Sequence, residues 1–179
     1  KGGYLATRHL IELGHRRIAC IYGPSSITAG GERIVGYREA LEEAGIPLDE
    51  TLMFQGDYHP ESAYQITQAL LTLPNPPTAI FALNDLMAVG ALRATSNSGL
   101  CVPVDLAVVG YDNLELVRFT NPPLTTISQP KEESGLQAVR FLIDRIEQAS
   151  ETTHRVMLPP KLIVRESTVP GLSDRLSLG

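Results

Sequence analysis

The stretch FALNDLMAVGALRA, residues 81–94, decides how this chain is read. An apolar run from Thr78 to Leu83 stops at two polar residues, Asn84 and Asp85, and a helical pattern of small residues begins at once. A short buried strand feeding straight into a helix is the repeating unit of an α/β fold. Asn84 sits where a helix N-cap is expected, and Asp85 where a negative charge suits the first helical turn. The same place is also the carboxyl end of a strand, where open α/β sheets hold their ligands. Capping and ligand contact are both open for Asn84, and a structural role is the plainer reading of Asp85.

The same alternation runs outward in both directions. Ala6, Leu10 and Leu13 are spaced as one helix face, with Gly14 at its end. Residues 16–23 (RRIACIYG) read as a buried strand, 32–45 as a helix, 51–57 as a strand, and 60–73 as a helix opened by Pro60. Strands follow at 78–83 and 106–112, with a helix at 85–99 between them. The pattern at 135–148 predicts a helix with Val139, Leu142, Ile143 and Ile146 turned inward, and RVMLP and KLIVRES read as two closing strands. Short apolar strands alternating with 12- to 15-residue helices predict a doubly wound parallel sheet with helices on both faces.

Composition narrows the function. The chain has 179 residues, 43% of them apolar, and a formal net charge of −5. A packed core is expected, and the acidic balance argues against this chain itself gripping nucleic acid. Cys20 and Cys101 lie in apolar surroundings and read as buried free thiols. His9, His15, His59 and His154 have no metal-ligand spacing, and His9 and His15 read as structural. The basic run HRR is a solvated strand entry, and YGPSS is a weak phosphate cradle. No nucleophile elbow, Walker A motif or dinucleotide fingerprint is present. No apolar run is long enough for a membrane span and no signal peptide is visible, which makes the cytoplasm the expected location. The chain lacks an initiator Met and opens directly in a helical pattern, as a piece of a longer protein would.

Polar side chains follow each predicted strand. Gly23, Pro24 and a Ser/Gly-rich loop lead to Arg33; Asp57 and Tyr58 follow the second strand, Asn84 and Asp85 the third, Asp112 and Asn113 the fourth. One cation, several carboxylates and amides, and one aromatic suit a small polyhydroxylated or heterocyclic ligand. Arginine offers a fork of donors, Asp accepts from hydroxyls, Asn does both, and Tyr covers an apolar ring face. Each residue also has a plainer reading: Arg33 as a solvated helix charge, Tyr58 as a packed loop residue, Asp112 and Asn113 as turn formers. Their convergence on one sheet edge favours a binding site. Nothing orders Ser, His and Asp into a catalytic triad.

Taken together and in order, HLIELGHRRIACIYGP (9–24), ERIVGYREALEEAGI (32–46), PTAIFALNDLMAVGALRA (77–94), SGLCVPVDLAVVGYDN (98–113), PPLTTISQPKEESGLQAV (122–139) and LPPKLIVRES (158–167) resemble the effector-binding core of lactose-repressor-type (LacI/GalR) transcription regulators. The resemblance implies a cytoplasmic homodimer that reaches operator DNA through an N-terminal headpiece absent from this chain. It implies a two-subdomain core like the periplasmic sugar-binding proteins, with a small effector, commonly a sugar, between the subdomains. A nucleoside-like effector is the other candidate. The family's effector contacts fall on Arg33, Tyr58, Asn84, Asp112 and Gln129, with no cofactor and no metal. The expected organisation is a C-terminal subdomain at 1–128, a segment at 129–155 returning to an absent N-terminal subdomain, and closing strands and tail at 156–179. The helix at 135–148 is then expected to pack on that missing subdomain. Pro130 and Lys131 stand where many members carry an aromatic. Small residues at Ala88, Gly90, Ala91 and Ala94 permit close packing, either across a dimer or within the chain. The alternatives are a periplasmic sugar-binding protein of transport or chemotaxis and, in a third class, an enzyme on the same scaffold.

Overall fold

The computed structural model describes residues 1–24, 28–148 and 155–170. Ser25 and Ser26 of the loop cradle read at 22–26, residues 149–154 of the segment expected to return at 129–155, with His154 among them, and the tail from 171 fall outside these. The elements run α1 (Gly2–Glu12), β1 (Ile18–Tyr22), α2 (Thr28–Glu43), β2 (Met53–Gln55), α3 (Pro60–Leu71), β3 (Ala79–Ala82), α4 (Asp85–Asn97), β4 (Ala107–Tyr111), β5 (Thr125–Ser128), α5 (Lys131–Gln148) and β6 (Lys161–Ile163). The strands form one six-stranded sheet in the order β2-β1-β3-β4-β5-β6, parallel except for the antiparallel pair β5–β6. The chain order reverses between β1 and β3, the place where such sheets open a crevice.

The core follows from the apolar strands. Ile18 to Ile21, Ala79 to Ala82 and Ala107 to Val109 are buried, as the continuous apolar runs predict for a sheet covered on both faces. Helix α1 packs along α2 in backbone contact: a Cβ added to Gly36 would lie 2.5 Å from the Tyr4 nitrogen. On the other face α4 meets α3 as closely, because a Cβ at Gly90 would collide with the Pro60 carbonyl. Ala88, Gly90, Ala91 and Ala94 are all buried, so the small residues of α4 serve packing within the chain.

Several expectations are corrected. The strand at 51–57 is shorter, because Asp49 captures the Thr51 amide (3.0 Å) and caps a 3-10 turn at Glu50–Leu52. RVMLP forms no strand over its described residues; only Lys161–Ile163 pairs, with β5. The sheet has a strand that apolar periodicity did not reveal, Thr125–Ser128, in which Thr125 and Thr126 are buried. Leu13 is exposed at the end of α1. Cys101 is exposed, whereas Cys20 is buried; both are free. Helix α5 starts four residues earlier than expected, and its apolar residues are not inward: Val139, Leu142, Ile143 and Ile146 are exposed, Leu142 by 59% and Ile146 by 73%.

Candidate functional site

The carboxyl edge of the sheet collects the expected residues in spatial order. Tyr58 follows β2, Arg33 lies on the helix after β1, Asn84 follows β3, Asp112 follows β4 and Gln129 follows β5. The centre of this row is one polar network. Arg33 donates from Nη2 to Asp112 Oδ1 at 3.4 Å and from Nη1 to the Leu83 carbonyl. Gln129 Nε2 donates to the same Asp112 oxygen at 2.7 Å. Arg33 is 14% exposed at its side chain and Asp112 24%, so the pair is partly shielded from water yet open on one side. Both bonds fall on Oδ1; the second carboxylate oxygen, Oδ2, is an acceptor of the kind a hydroxyl group can meet.

Asn84 answers the question raised by its position. Its Oδ1 accepts the Met87 amide at 2.8 Å, the N-cap bond, and its Nδ2 donates to the Tyr58 carbonyl at 3.0 Å. The amide group has a second N–H besides the one given to Tyr58. Tyr58 itself has a left-handed backbone, φ 69°, which the bond from Asn84 helps to hold. Its ring lies so close to Gly23 and Gly30 that a Cβ at either would collide with it. Gly23 thus leaves room for the body of the ring and Gly30 for its hydroxyl. Asp57 serves structure: it accepts the His59 amide (2.9 Å) and the Ser62 hydroxyl (2.5 Å) at the start of α3, and these bonds hold its carboxyl below the usual range.

Three neighbours were not picked out from the sequence as parts of the site. The Tyr111 ring lies under the Arg33 guanidinium, 3.7 Å from its carbon to the ring centroid. In the sequence this tyrosine reads as the last residue of an apolar strand. Lys131 donates to the Asp112 carbonyl at 2.8 Å, so the edge carries a second cation where only Arg33 was expected. Arg165 donates to Asn113 Oδ1 (2.8 Å) and to the Leu124 carbonyl (2.6 Å), tying the segment after β6 to the loop after β4. A cavity of about 400 Å³ is lined by Asp112, Asn113, Gln129 and Lys131, together with Glu132 and Glu133. A second cavity, about 410 Å³, lies at the opposite end of β1 over Tyr37, Leu41 and Leu52; its Arg17 is committed to Asp49 at 2.6 Å, and it shares no residue with the edge.

The two histidines read as structural, His9 and His15, are each hydrogen-bonded to a threonine. His9 Nε2 lies 2.9 Å from the Thr168 hydroxyl and His15 Nδ1 2.9 Å from that of Thr78; burial lowers both pKa values. Among the described residues no cluster of His, Cys, Asp and Glu could hold a metal ion, and no helix is long and apolar enough to cross a membrane.

Residues 7–168 match the periplasmic binding protein-like domain. This chain belongs to that family. The HTH-type transcriptional repressor PurR of Shigella sonnei (strain Ss046) is 45% identical over 171 residues, which cover 96% of this chain and 50% of the relative. Among solved structures, a transcriptional regulator CelR–cellobiose complex superposes with a TM-score of 0.87 at 46% identity, over 93% of this chain and 51% of that one. The lac repressor dimer bound to operator and the anti-inducer ONPF superposes with a TM-score of 0.85 at 36% identity, over 93% of this chain and 57% of that one. The chain thus spans about half the length of the curated relatives it matches, and it corresponds to the effector-binding portion of LacI-type regulators.

Proposed function

We propose that this chain is the ligand-sensing and dimerising part of a cytoplasmic, DNA-binding transcriptional repressor, and that it binds a small uncharged effector, a sugar, without turning it over. The observation that carries the reading is the Arg33–Asp112–Gln129 network, with Asn84 and Tyr58 beside it on the same sheet edge. Donors and acceptors alternate along that edge, the pattern a polyhydroxylated ring needs, and a ligand lacking the right hydroxyl would leave buried polar groups unpaired. Two cations, Arg33 and Lys131, stand against three carboxylates, Asp112, Glu132 and Glu133, which disfavours an anionic effector. The CelR neighbour, 46% identical, is a cellobiose complex, and the lac repressor neighbour is an operator-bound dimer. The repressor relatives favour regulation over periplasmic transport and over an enzyme.

The exposed stripe of α5 supports the expected organisation. Residues 1–128 and 156–170 share one sheet, while α5 turns Leu136, Val139, Leu142, Ile143 and Ile146 outward. We assign 129–155 to packing against the half of the regulator that this chain does not contain. Burying one such side chain contributes about 1.5–3 kcal/mol, so that half stabilises the helix appreciably.

The test is a thermal-shift screen of the full-length protein against cellobiose, lactose, ribose, nucleosides and purine bases, repeated with Asp112→Ala. A ligand at about 100 times its Kd adds roughly 2.7 kcal/mol of stability. A sugar shift lost in the variant is the expected result. A shift with purines alone would overturn the sugar assignment, and a monomer in sedimentation would overturn the dimer.

A further inference from the structure

Asp85 is fully buried, 0% exposed, and lies below the edge rather than on it. Both carboxylate oxygens are engaged. Oδ1 accepts from the Thr126 hydroxyl on β5 (2.5 Å), and Oδ2 accepts from the backbone amide of Leu114 (2.7 Å). The same Thr126 oxygen accepts the Asn113 amide at 3.3 Å. Asp85 therefore holds two consecutive amides of the loop after β4, Leu114 directly and Asn113 through Thr126. Just before them the Asp112 amide donates to the Ile127 carbonyl (2.8 Å).

That loop needs holding. Asp112 and Asn113 have φ values of 108° and 49°, a region that residues with a side chain seldom adopt. Strand β4 makes room for the carboxylate by carrying Gly110: a Cβ there would collide with Asp85 Oδ1 and lie 2.9 Å from Leu124. Any buried carboxylate needs hydrogen-bond partners; those of Asp85 come from β5 and the loop after β4 rather than from its own helix, and so join that loop to α4.

We propose that Asp85 is the positioning residue of the effector edge. By fixing the backbone of residues 112–114 it holds the Asp112 carboxylate where Arg33 and Gln129 meet it, and so sets effector affinity without touching the effector. This rests on the reading of that edge as the effector site. Asparagine is the conservative replacement, because its amide keeps one acceptor for the Leu114 N–H and offers a donor to Thr126 Oγ1. Alanine removes both partners.

The experiment compares wild type, Asp85→Asn and Asp85→Ala in the full-length protein. Calorimetric titration with cellobiose gives affinity, and amide hydrogen exchange at Asn113 and Leu114 gives the state of the loop. Asp85→Ala should bind cellobiose about tenfold more weakly, the loss expected for one unpaired buried group, with faster exchange at both amides; Asp85→Asn should restore both. A folded Asp85→Ala protein with wild-type exchange and wild-type affinity overturns the proposal. If wild type takes no cellobiose, the cellobiose assignment fails by itself and exchange decides: unchanged exchange in Asp85→Ala overturns positioning, faster exchange rescued by Asn supports it. If Asp85→Ala does not fold, Thr126→Val replaces it: faster exchange at Asn113 supports the relay, and unchanged exchange overturns it.

Discussion

The guanidinium carbon of Arg33 lies over Tyr111, 3.7 Å from its ring centroid, while its terminal nitrogens reach the Leu83 carbonyl and the Asp112 carboxylate. Three neighbours on three sides leave this arginine little freedom. A pre-set fork of donors binds with less loss of side-chain entropy than a free one.

This stacking can be measured. Tyr111→Phe keeps the ring face and should bind effector as wild type does. Tyr111→Leu removes it and should weaken binding by about 0.5–2 kcal/mol, the range for a cation over an aromatic ring. Titration calorimetry on the two variants decides; equal affinity for Leu and Phe would mean that Arg33 is held by its hydrogen bonds alone.

The close approach of α3 and α4 predicts opposite effects for two glycines. A Cβ at Gly90 meets the Pro60 carbonyl, so Gly90→Ala must push the helices apart and should cost about 1–3 kcal/mol. Gly31, exposed on α2, has nothing within 4 Å of its Cβ position. Gly31→Ala should gain about 0.5–1 kcal/mol from helix propensity. Urea unfolding of both variants checks the pair, and a Gly90→Ala protein as stable as Gly31→Ala would contradict the backbone contact.

The sheet was legible where apolar residues run together, in Ile18–Tyr22, Ala79–Ala82 and Ala107–Tyr111. Strand β5 was not, because Thr-Thr-Ile-Ser has no hydrophobic pattern. Its threonines are buried only because partners distant in sequence satisfy them: Thr126 with Asp85, and Thr125 with Arg165 and Thr168. The strand-end logic brought out Arg33, Tyr58, Asn84 and Asp112, since a polar side chain after an apolar run is a local signal. Gln129 came only from the family resemblance. Tyr111 and Lys131 gave no such signal, one hidden at the end of a strand and the other on the first turn of a helix. The inward face expected for α5 failed because periodicity tells which residues share a face, not what covers it.

Asn84 has two separable duties, and two substitutions divide them. Asn84→Asp keeps an acceptor for the Met87 amide and so keeps the cap, but cannot donate to the Tyr58 carbonyl. It should retain most of the stability while weakening effector binding through the loosened Tyr58 turn. Asn84→Ala loses the cap as well and should be less stable by about 1 kcal/mol. Thermal unfolding and ligand titration of both variants separate the effects; unchanged binding in Asn84→Asp would remove Tyr58 positioning from the duties of this residue.

Burial of Asp85 makes stability depend on pH. Desolvation pushes its pKa up from 3.8 to about 6, opposed by the bonds from Thr126 and the Leu114 amide. The charged groups that face it divide: Asp112 raises the value further and Arg165 lowers it. The native state then holds a proton between pH 3.8 and about 6 that the unfolded chain has released, so this group's contribution is fully present below pH 3.8 and is lost as pH rises to about 6. Two pH units correspond to roughly 3 kcal/mol at most. Asp85→Asn removes the titration while keeping the shape. The stability of Asp85→Asn relative to wild type should therefore rise between pH 4 and pH 6.5 and level off above, with other titrating groups cancelling in the difference. Denaturant unfolding of both proteins across that range measures it; a difference that does not change with pH would mean that Asp85 is already ionised throughout, and that its hydrogen bonds outweigh its burial.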